Sequence, residues 1–188
     1  MQLKSGSHLT RLERLLSIQA LLPDNYLHLG IDTFIEMMPE RTNNLANPDV
    51  PSDGFYWQTQ TGEEQSSLRI KSGEYGVQVN HAYHSTVKHL ANLGLKVIVD
   101  DIMNGANEQQ SWLAVLDGTE SLFVAVVCSD AELRNRENLR KDRVSGTAIE
   151  QNHRVHNGVS YDFEINTTDC SPKKCAQEIA SHIENALK

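Results

Sequence analysis

Acidic side chains stand just beyond three apolar segments of this 188-residue sequence. Asp32 follows Tyr26-Leu-His-Leu-Gly-Ile31, and Asp100 and Asp101 follow Lys96-Val-Ile-Val99. Cys128 and Asp130 follow Leu122-Phe-Val-Ala-Val-Val127. If the segments are parallel strands, these residues gather outside the strands' carboxyl ends, where open α/β sheets bind ligands. A carboxylate there can take a proton from a hydroxyl or hold a hard divalent cation. Three acidic positions on one edge exceed the needs of helix capping. Thr33 and Glu36 have capping-box spacing, which leaves Asp32 to face the crevice. At least one of Asp100 and Asp101 is expected to serve magnesium or substrate, with a turn role as the alternative.

Arg136, Arg140 and Arg143 recur at i, i+4 and i+7 on one helical face. Glu132, Glu137 and Asp142 are interleaved with them, as on a solvated helix. The same three arginines would also suit a cationic lid over a transferred phosphate, where bidentate guanidinium contacts are strong. Periodicity alone leaves both readings open. His81 and His84 are three apart, but no HExxH pattern accompanies them, so a structural or surface role is expected. Cys128, Cys170 and Cys175 form an odd set without paired spacing and read as reduced, structural thiols.

The elements that must position these groups alternate in type. Leu9, Leu12, Leu15, Leu16, Gln19 and Leu22 have helical spacing, and Pro23 closes that helix. The strand over 26–31 leads to a helix that Pro39 stops early. Residues 40–71 are polar, contain two prolines and surround Phe55-Tyr56-Trp57. A stretch of that length is expected to be an excursion with its own hairpin. Val77 to Ala91 marks a longer helix with Gly94 placed as its cap. A strand over 96–99, a helix over 108–116 and a central strand over 122–127 follow. Charged helical sequence runs from Ala131 and a second helical stretch from about Gly146, so that 131–146 is the segment that would be the lid on the second of the two readings. Tyr161-Asp-Phe-Glu-Ile165 alternates as a strand, and Pro172 opens the last helix. Strands alternating with helices predict one α/β domain of three layers, a central parallel sheet covered on both faces.

Composition narrows the function classes. Hydrophobic residues at 39% and charged residues at 22% describe an ordinary globular chain. The formal net charge of -8 argues against general binding to nucleic acid or anionic membrane, while leaving room for a local phosphate pocket. No apolar run approaches the roughly 18 residues of a membrane span, and the start Met1-Gln-Leu-Lys-Ser-Gly-Ser-His8 lacks a secretory core. A cytoplasmic location is expected.

Several segments, in order, carry a family resemblance over nearly the whole chain after Pro23. Gly30-Ile-Asp-Thr-Phe-Ile-Glu-Met-Met-Pro39 resembles the segment after the second strand of chloramphenicol phosphotransferase. Lys96-Val-Ile-Val-Asp-Asp-Ile102 is similar to that family's third strand with its paired aspartates, and Asp142-Arg-Val-Ser-Gly146 to the end of its lid. Val155-His-Asn-Gly-Val-Ser-Tyr-Asp162, continuing to Thr167 and Thr168, resembles its C-terminal pattern.

The resemblance implies a P-loop-kinase-like fold and transfer of the ATP γ-phosphoryl group to a hydroxyl of a small molecule. It implies Asp32 as the general base and Arg136 and Arg140 as stabilisers of phosphoryl charge. Asp100 or Asp101 would position Mg2+ or the acceptor. Arg11, Arg143, Thr167 and Thr168 would stand on the ATP side. Met37, Phe55, Tyr56 and Trp57 would wall the acceptor pocket. Antibiotic resistance is one biological role the resemblance suggests, and the acceptor's identity is not inherited.

The sequence departs from the family at the phosphate loop. A Walker A loop, G-x-x-x-x-G-K-[ST], cradles phosphates with backbone amides, a lysine and a magnesium-binding hydroxyl. Here the corresponding stretch is Ser5-Gly-Ser-His-Leu-Thr-Arg-Leu12. Thr10 falls at the second glycine, Arg11 at the lysine and Leu12 at the hydroxyl, and the first strand shrinks to about residues 1–4. The leading expectation is an ATP-dependent O-phosphotransferase whose competence the altered loop limits. The alternative is a non-catalytic small-molecule-binding protein descended from such a kinase. A third is a kinase whose N-terminus is truncated or altered.

Overall fold

The side-chain alternation of two paired strands sets the layers of the fold. The computed structural model describes residues 18–61, 66–139 and 147–186. Its elements begin with the end of a helix, α1 (residues 18–21), then β1 (Tyr26–Gly30), α2 (Ile31–Met37) and a 3-10 turn (Glu40–Thr42). β2 (Phe55–Thr61), β3 (Ser66–Ser72), α3 (Glu74–Asn92), β4 (Lys96–Asp100) and α4 (Ala106–Val115) follow. The chain continues through β5 (Val124–Val127), α5 (Asp130–Asn138), α6 (Thr147–Val155), β6 (Phe163–Asn166) and α7 (Pro172–Ala186).

β1 pairs with β4 in parallel, from Tyr26 opposite Lys96 to Gly30 opposite Asp100. Successive strand side chains leave by opposite faces. Tyr26 and Ile98 pack against Ile18 and Leu22 at the end of α1 and against Ala176 and Ile179 of α7. Leu29 and Val99 pack on the other side, with Tyr83 and Val87 of α3 and Trp112 of α4. β5 and β6 form a second parallel pair and enter the α1–α7 core through Val124, Phe163 and Ile165. Phe123 joins the α3–α4 core. Parallel strands thus have helices on both faces, as the alternating sequence pattern predicts. Among the described strands the parallel ones form these two pairs. The strand expected near residues 1–4 lies outside the described residues.

Local chemistry explains most element ends. α3 stops in a Schellman arrangement: Gly94, at φ +79°, donates to the Ala91 carbonyl while Leu95 donates to that of Leu90. Ser171 precedes Pro172, and its hydroxyl accepts from the Lys174 amide at 3.3 Å. The capping-box expectation at Thr33 and Glu36 is overturned. α2 begins at Ile31 with Gly30 as its N-cap and no side-chain cap, so Thr33 lies inside the first turn. The backbone turns directly out of β1 into the helix, before Thr33 is reached. β5 also starts later than its apolar run, and Val126 is 48% exposed, so one face of this strand is less covered than unbroken apolar character suggests.

The 40–71 excursion carries an antiparallel ribbon, with Phe55 opposite Ser72 and Thr61 opposite Ser66. Its base lies directly on the start of α3. Gly73 donates to the Gly54 carbonyl at 2.7 Å, and Gly76 donates to that of Asp53 at 2.9 Å. A Cβ at Gly76 would meet the Gly54 carbonyl oxygen at 2.6 Å, so the close approach requires glycine.

Candidate active site

The carboxyl ends of β1 and β4 lie side by side, because Gly30 and Asp100 are register partners. Asp32 sits in the first turn of α2, exposed, two residues beyond Gly30. Asp100 is on the α1–α7 side of the sheet, the face of its strand neighbour Ile98. There its Oδ2 is 4.0 Å from Nε2 of His28, a buried ring nitrogen without a hydrogen bond.

Asp101 goes the other way. Its Oδ2 accepts from Trp112 Nε1 at 2.7 Å and its Oδ1 accepts from the Ile102 amide at 2.8 Å. Burial raises its pKa, and the Trp112 hydrogen bond opposes that shift. The two adjacent aspartates therefore serve opposite faces of the sheet. Beside Asp101, the His84 ring lies against Trp112 with centroids 3.8 Å apart, and its Nε2 is 3.2 Å from Glu108 Oε1. Asn80 donates to the same Glu108 oxygen at 3.3 Å. The His84 contact holds the Glu108 carboxyl below its usual value, against the effect of burial.

At the carboxyl ends of β5 and β6 the contacts are polar. Arg136 donates from Nη2 to the Thr167 carbonyl at 2.6 Å and from Nη1 to the Thr167 hydroxyl at 3.3 Å, and its Nε meets Glu132 at 2.8 Å. Thr167 is buried, and its hydroxyl donates to the Val127 carbonyl at 3.0 Å. The Thr168 hydroxyl accepts from the Ser129 amide at 2.9 Å. The guanidinium of Arg136 is thus docked just past the end of β6. Arg11, Arg140 and Arg143 lie outside the described residues.

The expected acceptor wall is uneven. Phe55 is buried at the ribbon base, Tyr56 and Trp57 are half-buried along β2, and Met37 is 74% exposed at the end of α2. The ribbon also reaches the strand edge: Arg69 of β3 donates to Asn104 Oδ1 at 2.5 Å, and Arg154 of α6 donates to the same oxygen at 3.2 Å. A cleft of about 230 Å3 lined by Pro23, Tyr26, Lys96 and Ile183 opens at the opposite, amino ends of β1 and β4. Ligands of open parallel sheets bind at the other edge.

Sequence reasoning passed over His28, Glu108 and Trp112 and placed His84 on the surface or in a structural role. His84 is 3% exposed. The available signal was the i, i+4 pair Glu108 and Trp112 facing the i, i+4 pair Asn80 and His84, which becomes visible only once α3 and α4 are known to touch.

Comparison with known proteins decides the family. The sequence pattern of the family described as "Chloramphenicol phosphotransferase-like protein" matches residues 5–184. This chain belongs to that family. Its α/β architecture is P-loop-kinase-like, with parallel strands between helical layers. Two proteins from different strains of Mycobacterium tuberculosis, each named "Putative O-phosphotransferase", are 27% identical to this chain over 186 residues. The alignment covers 94% of this chain and 78% of each relative. Among the described residues of this phosphotransferase-like chain, no helix is long and apolar enough to cross a membrane.

Proposed function

We propose that the protein takes a hydroxyl-bearing small molecule at the carboxyl ends of β1 and β4 and is built for ATP-dependent O-phosphorylation of it. The observation that carries this reading is the position of Asp32, exposed in the first turn of α2 beside the end of β4. Asp32 accepts the proton of the acceptor hydroxyl as the hydroxyl oxygen bonds to the γ-phosphorus and the bond from that phosphorus to the β,γ-bridging oxygen breaks, releasing ADP. Arg136, with Arg140 and Arg143 further along the lid, balances the charge on the transferred group. Thr167 and Thr168 hold the strand ends to which Arg136 is docked. Met37, Tyr56 and Trp57 border the acceptor, with Phe55 supporting them from below.

Asp100 is the carboxylate of the pair that would hold Mg2+, because it ends β4 directly opposite Gly30, two residues before Asp32. Magnesium would supply charge neutralisation between the phosphates. The fit is weakest at the loop, where Thr10, Arg11 and Leu12 replace the glycine, lysine and hydroxyl of Walker A. Losing several charge-assisted phosphate contacts, each worth roughly 1.5–3 kcal/mol, weakens MgATP binding by orders of magnitude. That loop supports a second reading, a non-catalytic binding protein that keeps the acceptor side.

Calorimetric titration with MgATP and radiolabelled phosphotransfer to a panel of small hydroxyl compounds separate the two. Weak ATP binding with measurable transfer, lowered roughly 10²–10⁴-fold by Asp32→Asn, supports the phosphotransferase. Equal turnover in the two proteins removes Asp32 from the mechanism. Acceptor binding without transfer, even after a complete strand and Walker A loop are grafted ahead of α1, establishes the binding protein.

A further inference from the structure

The cluster between α3 and α4 is not used by the phosphotransfer reading. One ligand-capable atom each of His84, Asp101 and Glu108 lies within 4.8 Å of the other two. The residues come from three elements: the middle of α3, the segment just after β4, and the first turn of α4. His84 is almost wholly buried, and its Nε2 is 3.2 Å from Glu108 Oε1 without the alignment of a hydrogen bond. That spacing matches a coordination edge, since two ligands about 2.0–2.2 Å from a tetrahedral ion stand roughly 3.4 Å apart. The surroundings resemble an outer shell. Asn80 donates to Glu108, and Trp112 donates to Asp101 while its indole lies tilted against His84.

We propose that His84, Asp101 and Glu108 form a binding site for a transition-metal dication of the Zn2+ class, linking α3 and α4 to the end of β4. One imidazole and two carboxylates suit such an ion better than Mg2+, which demands an octahedron of oxygens and keeps several waters. The two carboxylate charges neutralise the dication in a place where an isolated charge would be costly. Each carboxylate oxygen carries two lone pairs, so the hydrogen bonds from Trp112, Ile102 and Asn80 persist when the metal binds. Closing the 4.8 Å span needs side-chain rotation at Asp101 or Glu108, with the backbone left in place. The bound ion fixes the 101–105 segment, and with it the neighbouring Asp100. The site stands apart from the nucleotide reading because it requires neither ATP nor turnover.

The test uses the full chain, stripped of metal by a chelator and titrated with Zn2+ by calorimetry and with Co2+ by visible absorption. One equivalent of each is expected, with a four-coordinate Co2+ spectrum free of thiolate charge transfer. His84→Ala and the isosteric Glu108→Gln should each weaken Zn2+ binding by at least about 100-fold, beyond the usual effect of losing an outer-shell partner. His182→Gln on α7 should bind as the parent does. Circular dichroism of each metal-free variant checks its fold. No binding by the parent, binding undiminished in both site variants, or a thiolate-rich Co2+ spectrum overturns the proposal. Should both site variants unfold, the parent's stoichiometry and Co2+ spectrum still decide it.

Discussion

The carboxyl ends of the two parallel strand pairs are built on different principles. Past the end of β4, Asp101 accepts from a cluster of rings: its donor Trp112 lies tilted against His84 and meets Tyr83 edge-on with centroids 5.3 Å apart, and Phe34 closes on Tyr83 from α2. Past β5 and β6, polar contacts join helices α5 and α6 to their neighbours. Arg136 reaches Thr167, Glu137 accepts from the Ala148 amide at 3.1 Å, Asn152 donates to the Cys128 carbonyl at 3.3 Å, and His153 faces Asp130 at 3.1 Å. Ring packing is short-range and cumulative, so it resists local opening. Isolated polar contacts each contribute about 1 kcal/mol and exchange readily with water. Cumulative ring packing at one site and exchangeable polar contacts at the other predict that α5 and α6 open locally before α3 and α4 do.

The largest expected effect tests the rigid side. Trp112 is 3% exposed, so Trp112→Ala should cost about 3–5 kcal/mol and lower the denaturant midpoint accordingly. The contrast between the two strand pairs fails if Arg136→Gln is equally costly. A smaller effect is expected between α5 and α6. Glu137 is buried, and Glu137→Ala leaves the Ala148 amide at the start of α6 without this acceptor. The expected cost is about 1–2 kcal/mol, with hydrogen exchange accelerated in α6 and unchanged in α3. Uniform acceleration in both helices would mean that α6 does not open separately.

The smallest effect is a pH dependence at the far end of α6. Burial lowers the His156 pKa, opposed by Glu164, and the ring's Nδ1 is 2.8 Å from the Tyr161 hydroxyl, whose own pKa burial raises. The folded chain therefore holds this proton more weakly than the unfolded chain. The stability from neutral His156 is complete above the ordinary value of about 6.5 and is lost as pH falls below it through the lowered value. Thermal melts between neutral and mildly acidic pH should show a slope that His156→Gln reduces. An unchanged slope would assign it to other histidines.

The sequence by itself determined the order of strands and helices, the stop of α3 at Gly94, the start of α7 at Pro172 and the place of Asp32 just beyond a strand. Each depends on chemistry within a few residues: period-2 or period-3.6 apolar spacing, a positive φ, a proline without an amide hydrogen. The same local signals placed the candidate base but misjudged the start of α2, because a strand feeding straight into a helix left Thr33 no chance to cap. Only the tertiary structure decided that Asp100 and Asp101 part to opposite faces, since alternation has meaning only once each face has its helices. It also decided that Arg136 docks on a carbonyl 31 residues away and that His84 is buried against Glu108 and Trp112. Those contacts join elements far apart in the chain, and no local periodicity encodes which faces will meet.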